Sequence, residues 1–235
     1  MIPRELVASA PVPGHRGVLH CYRHDRDFSL WLDRTELMSS RVHESEQMLA
    51  DVALAALGPR PAARVLVGGL GMGFTLAQVL RAVDADAVVE VVELVPEVVE
   101  WNRGMLADLA GRPLQDARVC VSTGDVAEAI LAANARYDVV LLDVDNGPEA
   151  LVHPGNQRLY GGGGLAAARA ALRPGGVLAV WSAWEDRKFE QRLAANGFDV
   201  DVQRVRARLK KGGPRHTIFL GRPNPDRPVR ARPAP

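Results

Sequence analysis

Val65-Leu66-Val67-Gly68-Gly69-Leu70-Gly71-Met72-Gly73 runs from an apolar strand into a glycine-rich loop, and Phe74 opens a helical pattern directly behind it. Strand, glycine loop and helix in that order bring backbone N–H groups to a helix N-terminus, where an anionic or polar ligand is favoured. Glycines there let a ligand approach the backbone where a Cβ would collide. The second strand pattern, Val88–Glu93, ends in an acid 20 residues after Gly73. At that place an acid can hydrogen-bond both hydroxyls of a ribose. The third strand leads to Thr123-Gly124-Asp125, where Asp125 can accept from an adenine amino group, and the fourth ends at Asp143. The loop glycines Gly68, Gly69, Gly71 and Gly73, with Glu93, Asp125 and Asp143, therefore converge on the carboxyl ends of adjacent strands, the place where open α/β sheets hold their ligands.

Outward from this centre, strand and helix patterns alternate. Strands are expected at 64–67, 88–93, 118–121, 138–143 and 176–182, and helices at 74–82, 96–109, 126–133, 165–172 and 186–196. Unbroken apolar runs such as Val139-Val140-Leu141-Leu142 suit strands covered on both faces. Such alternation gives an α/β, Rossmann-like, doubly wound and mostly parallel sheet. Residues 198–206 and 216–222 read as a terminal hairpin around Lys210-Lys211-Gly212-Gly213-Pro214. Residues 17–23 and 27–33 read as an N-terminal β-hairpin, and a helix follows Ser39-Ser40 with Val42, Leu49, Val52, Ala53, Ala56 and Leu57 on one face. The expected organisation is an N-terminal β-hairpin extension over 1–40, a nucleotide-binding catalytic domain over 41–222, and a disordered Pro/Arg-rich tail over 223–235.

Bulk composition narrows the function further. A formal net charge of +1 over 235 residues points to neither nucleic acid nor a membrane surface as partner. No apolar run approaches the length of a membrane span, and no basic stretch leads an apolar core at the N-terminus, so a cytoplasmic protein is expected. Cys21 and Cys120 both sit in apolar runs and read as buried thiols, and no ligand spacing suggests a metal. The loop lacks the third glycine of a dinucleotide fold at its usual spacing and the Gly-Lys-Ser/Thr of a P-loop.

Several stretches resemble the spermidine synthase (polyamine aminopropyltransferase) group within the class I S-adenosylmethionine-dependent methyltransferase fold. They are Leu30-Trp31-Leu32-Asp33, His43-Glu44-Ser45-Glu46, Val65-Leu66-Val67-Gly68-Gly69, Val92-Glu93-Leu94, Tyr137-Asp138-Val139-Val140-Leu141-Leu142-Asp143, Leu159-Tyr160 and Leu172-Arg173-Pro174-Gly175-Gly176-Val177-Leu178. The resemblance covers residues 17 to 220. It implies an S-adenosylmethionine-type donor, either S-adenosylmethionine or its decarboxylated form, a small-molecule acceptor, Asp143 as the catalytic aspartate and a homodimer. Three departures stand out. Gly71 occupies the place of the aspartate that contacts the aminopropyl end of the decarboxylated donor. The aspartate strand continues as the shorter Asp143-Val144-Asp145-Asn146-Gly147-Pro148. Trp181 replaces a glutamine.

These departures favour methyl transfer over aminopropyl transfer to a polyamine, with a non-catalytic nucleotide-binding subunit as the further alternative. Either transfer moves an alkyl group off an activated sulfonium, so the protein supplies alignment and a base. Asp143 is the candidate base and Asp145 its candidate assistant. Tyr160 and Trp181, with Trp184, are candidates for an aromatic wall around the acceptor. Gly161-Gly162-Gly163-Gly164 reads as a hinge. His43 and His153 read as surface or hydrogen-bonded residues, and Glu185 and Asp186 equally as a helix start or a substrate contact.

Overall fold

The computed structural model describes residues 3–144, 158–207 and 215–227. The expected α/β pattern is present, and its central strands lie close to where the apolar runs place them: β5 (Arg64–Gly68), β6 (Val88–Glu93), β7 (Val119–Thr123), β8 (Tyr137–Leu142) and β9 (Leu172–Ser182). With β10 (Phe198–Arg206) and β11 (Arg215–Pro223) they form a seven-stranded sheet in the order β10-β11-β9-β8-β5-β6-β7. Strands β7, β6, β5, β8 and β9 are mutually parallel; β11 runs antiparallel to β9, and β10 antiparallel to β11. Strand order reverses between β5 and β8, which makes their carboxyl ends the crevice of the sheet.

Side chains alternate across this sheet into two cores. Val65, Val67, Val139 and Leu141 face one cluster, and Leu66, Val140 and Leu142 face the other. Helices α1 (Glu44–Leu57), α2 (Phe74–Ala82) and α3 (Pro96–Arg103) contribute to the first. Helices α4 (Val126–Leu131), α5 (Gly162–Ala171) and α6 (Arg187–Ala195) contribute to the second. Both sheet faces are thus covered, which is why the strands read as apolar runs.

Four expectations are corrected. The N-terminal hairpin is the middle of a four-stranded antiparallel sheet, β1 (Glu5–Pro11), β2 (Val18–His24), β3 (Asp27–Leu32) and β4 (Thr35–Ser39). The outer strands leave a weak signal in the sequence, because β1 carries alanines, weak strand formers, and β4 is only five residues long. Helix α3 stops at Arg103 and a 3-10 turn, Ala107–Ala110, takes up the rest of the expected helix. The hinge reading also gives way, since Gly162, Gly163 and Gly164 form the first turn of α5. Cys21 is buried as expected, but Cys120 is exposed on the edge strand β7.

The start of the expected tail is tied down. Pro223 ends β11, Asn224 N donates to Gly197 O at 2.9 Å, and Arg227 Nη1 donates to Phe198 O at 3.1 Å. Residues 228–235, Lys210-Lys211, His153 and the candidate Asp145 lie outside the described residues.

Candidate active site

The glycine loop takes its shape from contact with the neighbouring strand. Gly69 has φ +88°, and a Cβ on it would stand 2.4 Å from the Asp143 carbonyl oxygen, so only glycine lets β5 and β8 close up here. Gly71 has φ +53°, and its Cβ would stand 2.7 Å from Met38 Cε of β4. The N-terminal sheet thus rests on the loop. Gly68 O accepts from Asp143 N at 2.9 Å, and Gly73 is the N-cap of α2.

Above these strand ends lies a cavity of about 470 Å³. Gly69, Gly71, Glu93, Gly124, Asp125, Asp143 and Trp181 line it, so most of the expected site residues come together. Gly68 and Gly73 do not reach it and act through the loop. The N-terminal sheet supplies an aliphatic wall, with Leu19, Leu30, Leu32 and Met38 among its members. Among the described residues no group of three or more His, Cys, Asp or Glu is arranged to hold a metal. None of the described helices is long and apolar enough to cross a membrane.

Two acids anchored to backbone N–H groups line the cavity over β6 and β7. Glu93 is 8% exposed; its Oε2 accepts from Leu70 N at 2.7 Å and its Oε1 from Val95 N at 2.9 Å. Burial raises its carboxyl above the usual range, and these backbone N–H groups pull it back. The backbone N–H groups of Gly71 and Leu94 also face this carboxylate. Asp125 is the N-cap of α4, accepting from Ala127 N at 2.8 Å, while also lining the cavity.

The part of the cavity at the end of β8 centres on Asp143. Thr75 Oγ1, in the first turn of α2, donates to Asp143 Oδ2 at 2.6 Å. Burial pushes the Asp143 carboxyl up to about 6, against the pull of that hydrogen bond. Glu46 of α1, 7% exposed, faces the same space. Burial, and then the charge of Asp143, hold its carboxyl well above the ordinary range. The two acids are a coupled pair whose protons belong to both.

Beyond Asp143, Trp181 at the end of β9 and His216 at the start of β11 meet edge-to-face, with ring centres 4.6 Å apart. His216 Nδ1 lies 2.8 Å from Ser45 Oγ, and burial lowers its pKa below the ordinary value.

Thr75 and His216 are absent from the sequence-based expectations, and Ser45 and Glu46 enter them only within the family-like stretch His43-Glu44-Ser45-Glu46, without a role of their own. Glu46 left a signal there, an acid at the i−3 and i−4 positions of the buried Leu49 and Ala50 on the apolar face of α1. Two expected contacts fail. Tyr160 is fully buried in the second core, edge-on to Phe189 at 5.5 Å, and is not among the residues that line the cavity. Trp184 is not among the lining residues. Asp186 caps α6 by accepting from Phe189 N at 2.9 Å, and Glu185 pairs with Arg204. His43 stacks on Phe74 at 4.0 Å and bonds Ser40 O.

Comparison with known proteins agrees with this fold. A spermidine synthase solved with the transition-state analogue AdoDATO superposes with a TM-score of 0.72 at 19% identity, covering 94% of this chain and 73% of its own. The spermidine synthase of Thermotoga maritima gives the same values. A putative O-methyltransferase from Klebsiella pneumoniae gives 0.55 at 19% identity, covering 77% of this chain and 80% of its own. At these identities the likeness shows the fold. No curated protein sequence matches the chain significantly. The family model of the spermine/spermidine synthase domain matches residues 42–205, from the start of α1 to the end of β10, and the chain therefore belongs to the spermine/spermidine synthase family.

Proposed function

We propose that this chain, an S-adenosylmethionine-type alkyltransferase by family, moves the aminopropyl group of decarboxylated S-adenosylmethionine to the nitrogen of a small amine. One observation carries the choice of donor. The described lining of the cavity holds five carboxylates, Glu36, Glu46, Glu93, Asp125 and Asp143, and no lysine or arginine. Intact S-adenosylmethionine brings its own carboxylate into this field and meets no cation there. The decarboxylated donor brings a sulfonium and an ammonium and no anion. The ranking of methyl transfer first, drawn from Gly71, is thus reversed: Glu46 supplies from α1 a carboxylate that the loop itself does not carry.

The residues divide the work. Glu93 takes the ribose hydroxyls and Asp125 the adenine edge, leaving the sulfonium over the end of β8. Asp143 accepts a proton from the acceptor nitrogen. The nitrogen lone pair forms the new C–N bond at the methylene carbon next to sulfur. The C–S bond breaks with its electrons passing to sulfur, and methylthioadenosine leaves. Thr75 fixes the carboxylate rotamer, so that little ordering remains to be done in the transition state. Calorimetric titration with both donors tests the reading. The decarboxylated donor should bind at least about tenfold more tightly, a difference of about 1.4 kcal/mol. Tighter binding of the intact donor defeats it.

A further inference from the structure

Three features of the half-site beyond Asp143 remain without a role: a histidine on β11, a serine beside Glu46, and an indole whose N–H has no partner among the described residues. The strand order makes them neighbours. On the proposed reading the nucleoside lies over the ends of β5, β6 and β7, and Asp143 stands at the end of β8. The acceptor must then lie over β9 and β11, against the first turn of α1. Trp181, Ala183, His216, Ser45 and Val42 line the cavity there.

Their chemistry is specific. Trp181 is 8% exposed and lines the cavity, and its buried Nε1 has no hydrogen-bond partner among the described residues. An indole N–H only donates, and a buried donor without a partner costs free energy that a bound acceptor atom recovers. An ammonium, which also only donates, cannot fill that need. His216 lies edge-to-face with Trp181 and is oriented by Ser45. We assign the neutral tautomer in which Nδ1–H donates to Ser45 Oγ, which leaves Nε2 as a hydrogen-bond acceptor. A donor beside an acceptor matches a hydroxyl group, which accepts from the indole and donates to the imidazole.

A count of charges points the same way, and it rests on the aminopropyl reading above. The decarboxylated donor carries two positive charges, and the described carboxylates that face them are Glu46 and Asp143. Glu36 lines the cavity from β4 but is exposed at its edge. A second ammonium placed against Trp181 and His216 would be a buried charge without a counter-ion among the described residues, an expensive arrangement.

We propose that Trp181 and His216, the latter held by Ser45, determine acceptor specificity, and that they select a primary amine whose far end is an uncharged hydroxyl: an amino alcohol rather than a diamine.

The test compares molecules of equal length. The protein is saturated with methylthioadenosine, which fills the nucleoside half whichever alkyl group is moved. Binding of 4-amino-1-butanol and of putrescine, which differ only in a terminal hydroxyl against a terminal ammonium, is then measured by calorimetry. The kcat/KM of each is measured in parallel with the decarboxylated donor. The amino alcohol should be favoured about tenfold or more in both. His216→Asp places a carboxylate at the far end and should move the preference about tenfold or more toward putrescine, while Ser45→Ala should weaken discrimination without inverting it. Equal binding, tighter binding of putrescine, or failure of both to bind the wild-type protein overturns the proposal, and none of these results needs a variant to fold. Aminopropyl transfer that prefers putrescine would defeat this inference and leave the function standing. A preference for the amino alcohol in binding, with no aminopropyl transfer to any amine, would do the reverse.

Discussion

Replacing Asp143 by asparagine should make the protein more stable and less active at the same time. Burial lifts the Asp143 carboxyl from 3.8 to about 6 in the folded chain. Because the folded state holds this proton more tightly than the unfolded state, its contribution to stability is full below pH 3.8 and is lost as pH rises through about 6. A folded-state pKa one pH unit above the unfolded value corresponds to about 1.4 kcal/mol, so the ionised carboxylate costs the fold on the order of 3 kcal/mol above pH 7. Asp143→Asn removes that cost and keeps an oxygen that can accept from Thr75. A gain of about 1–3 kcal/mol at pH 8 is expected, several degrees in Tm for a chain of this size. At pH 4, where the wild-type group is largely protonated, the gain should nearly vanish. Thermal melts of both proteins across pH 4–8 measure the difference, in which carboxylates remote from Asp143 cancel, while Glu46, which feels its charge, adds a share of the same sign. Single-turnover transfer should fall on the order of 10²–10⁴, the usual share of a general base. A variant that is destabilised at pH 8, or that keeps near-native turnover, refutes the role given to Asp143.

Two further substitutions probe the rest of the cavity. Glu46→Gln removes the carboxylate proposed to replace the missing loop aspartate and should narrow the preference for the decarboxylated donor by about tenfold, read by calorimetry with both donors. The same change should shift the acid limb of the kcat/KM profile, because Glu46 and Asp143 titrate as a pair. Glu93→Gln leaves one accepting oxygen where two are needed and should weaken methylthioadenosine binding by about 1.5–3 kcal/mol, the value of a charge-assisted hydrogen bond. Unchanged affinity in the folded variant would remove Glu93 from the ribose contact.

The strands that define the crevice were legible because period and composition act locally. Val88–Glu93 and Phe198–Arg206 begin and end where their apolar patterns do. The acids at those strand ends were legible for the same reason, since Glu93, Asp125 and Asp143 are placed by the chain segment that carries them. What escaped was brought in from a distance. Glu46 lies 97 residues from Asp143, and Ser45 lies 171 residues from His216. Only the packing of α1 across β8 and β9 and the return of β11 beside β9 make them neighbours. Tyr160 was misplaced by the converse error. An aromatic ring in a family-like stretch suggests an acceptor wall, but the packing of α5 and α6 puts it beside Phe189 instead. The four-stranded N-terminal sheet was half seen, because strands such as Glu5–Pro11 owe their form to pairing with β2 more than to their own residues.

The central claim concerns which alkyl group leaves the sulfonium, and product identity tests it most directly. The wild-type enzyme is given equal concentrations of S-adenosylmethionine and its decarboxylated form together with 4-amino-1-butanol and putrescine, and the products are resolved by mass spectrometry. Aminopropylated amine with release of methylthioadenosine is the predicted result. Methylated product with release of S-adenosylhomocysteine would contradict the assignment of the acidic cavity to a cationic donor.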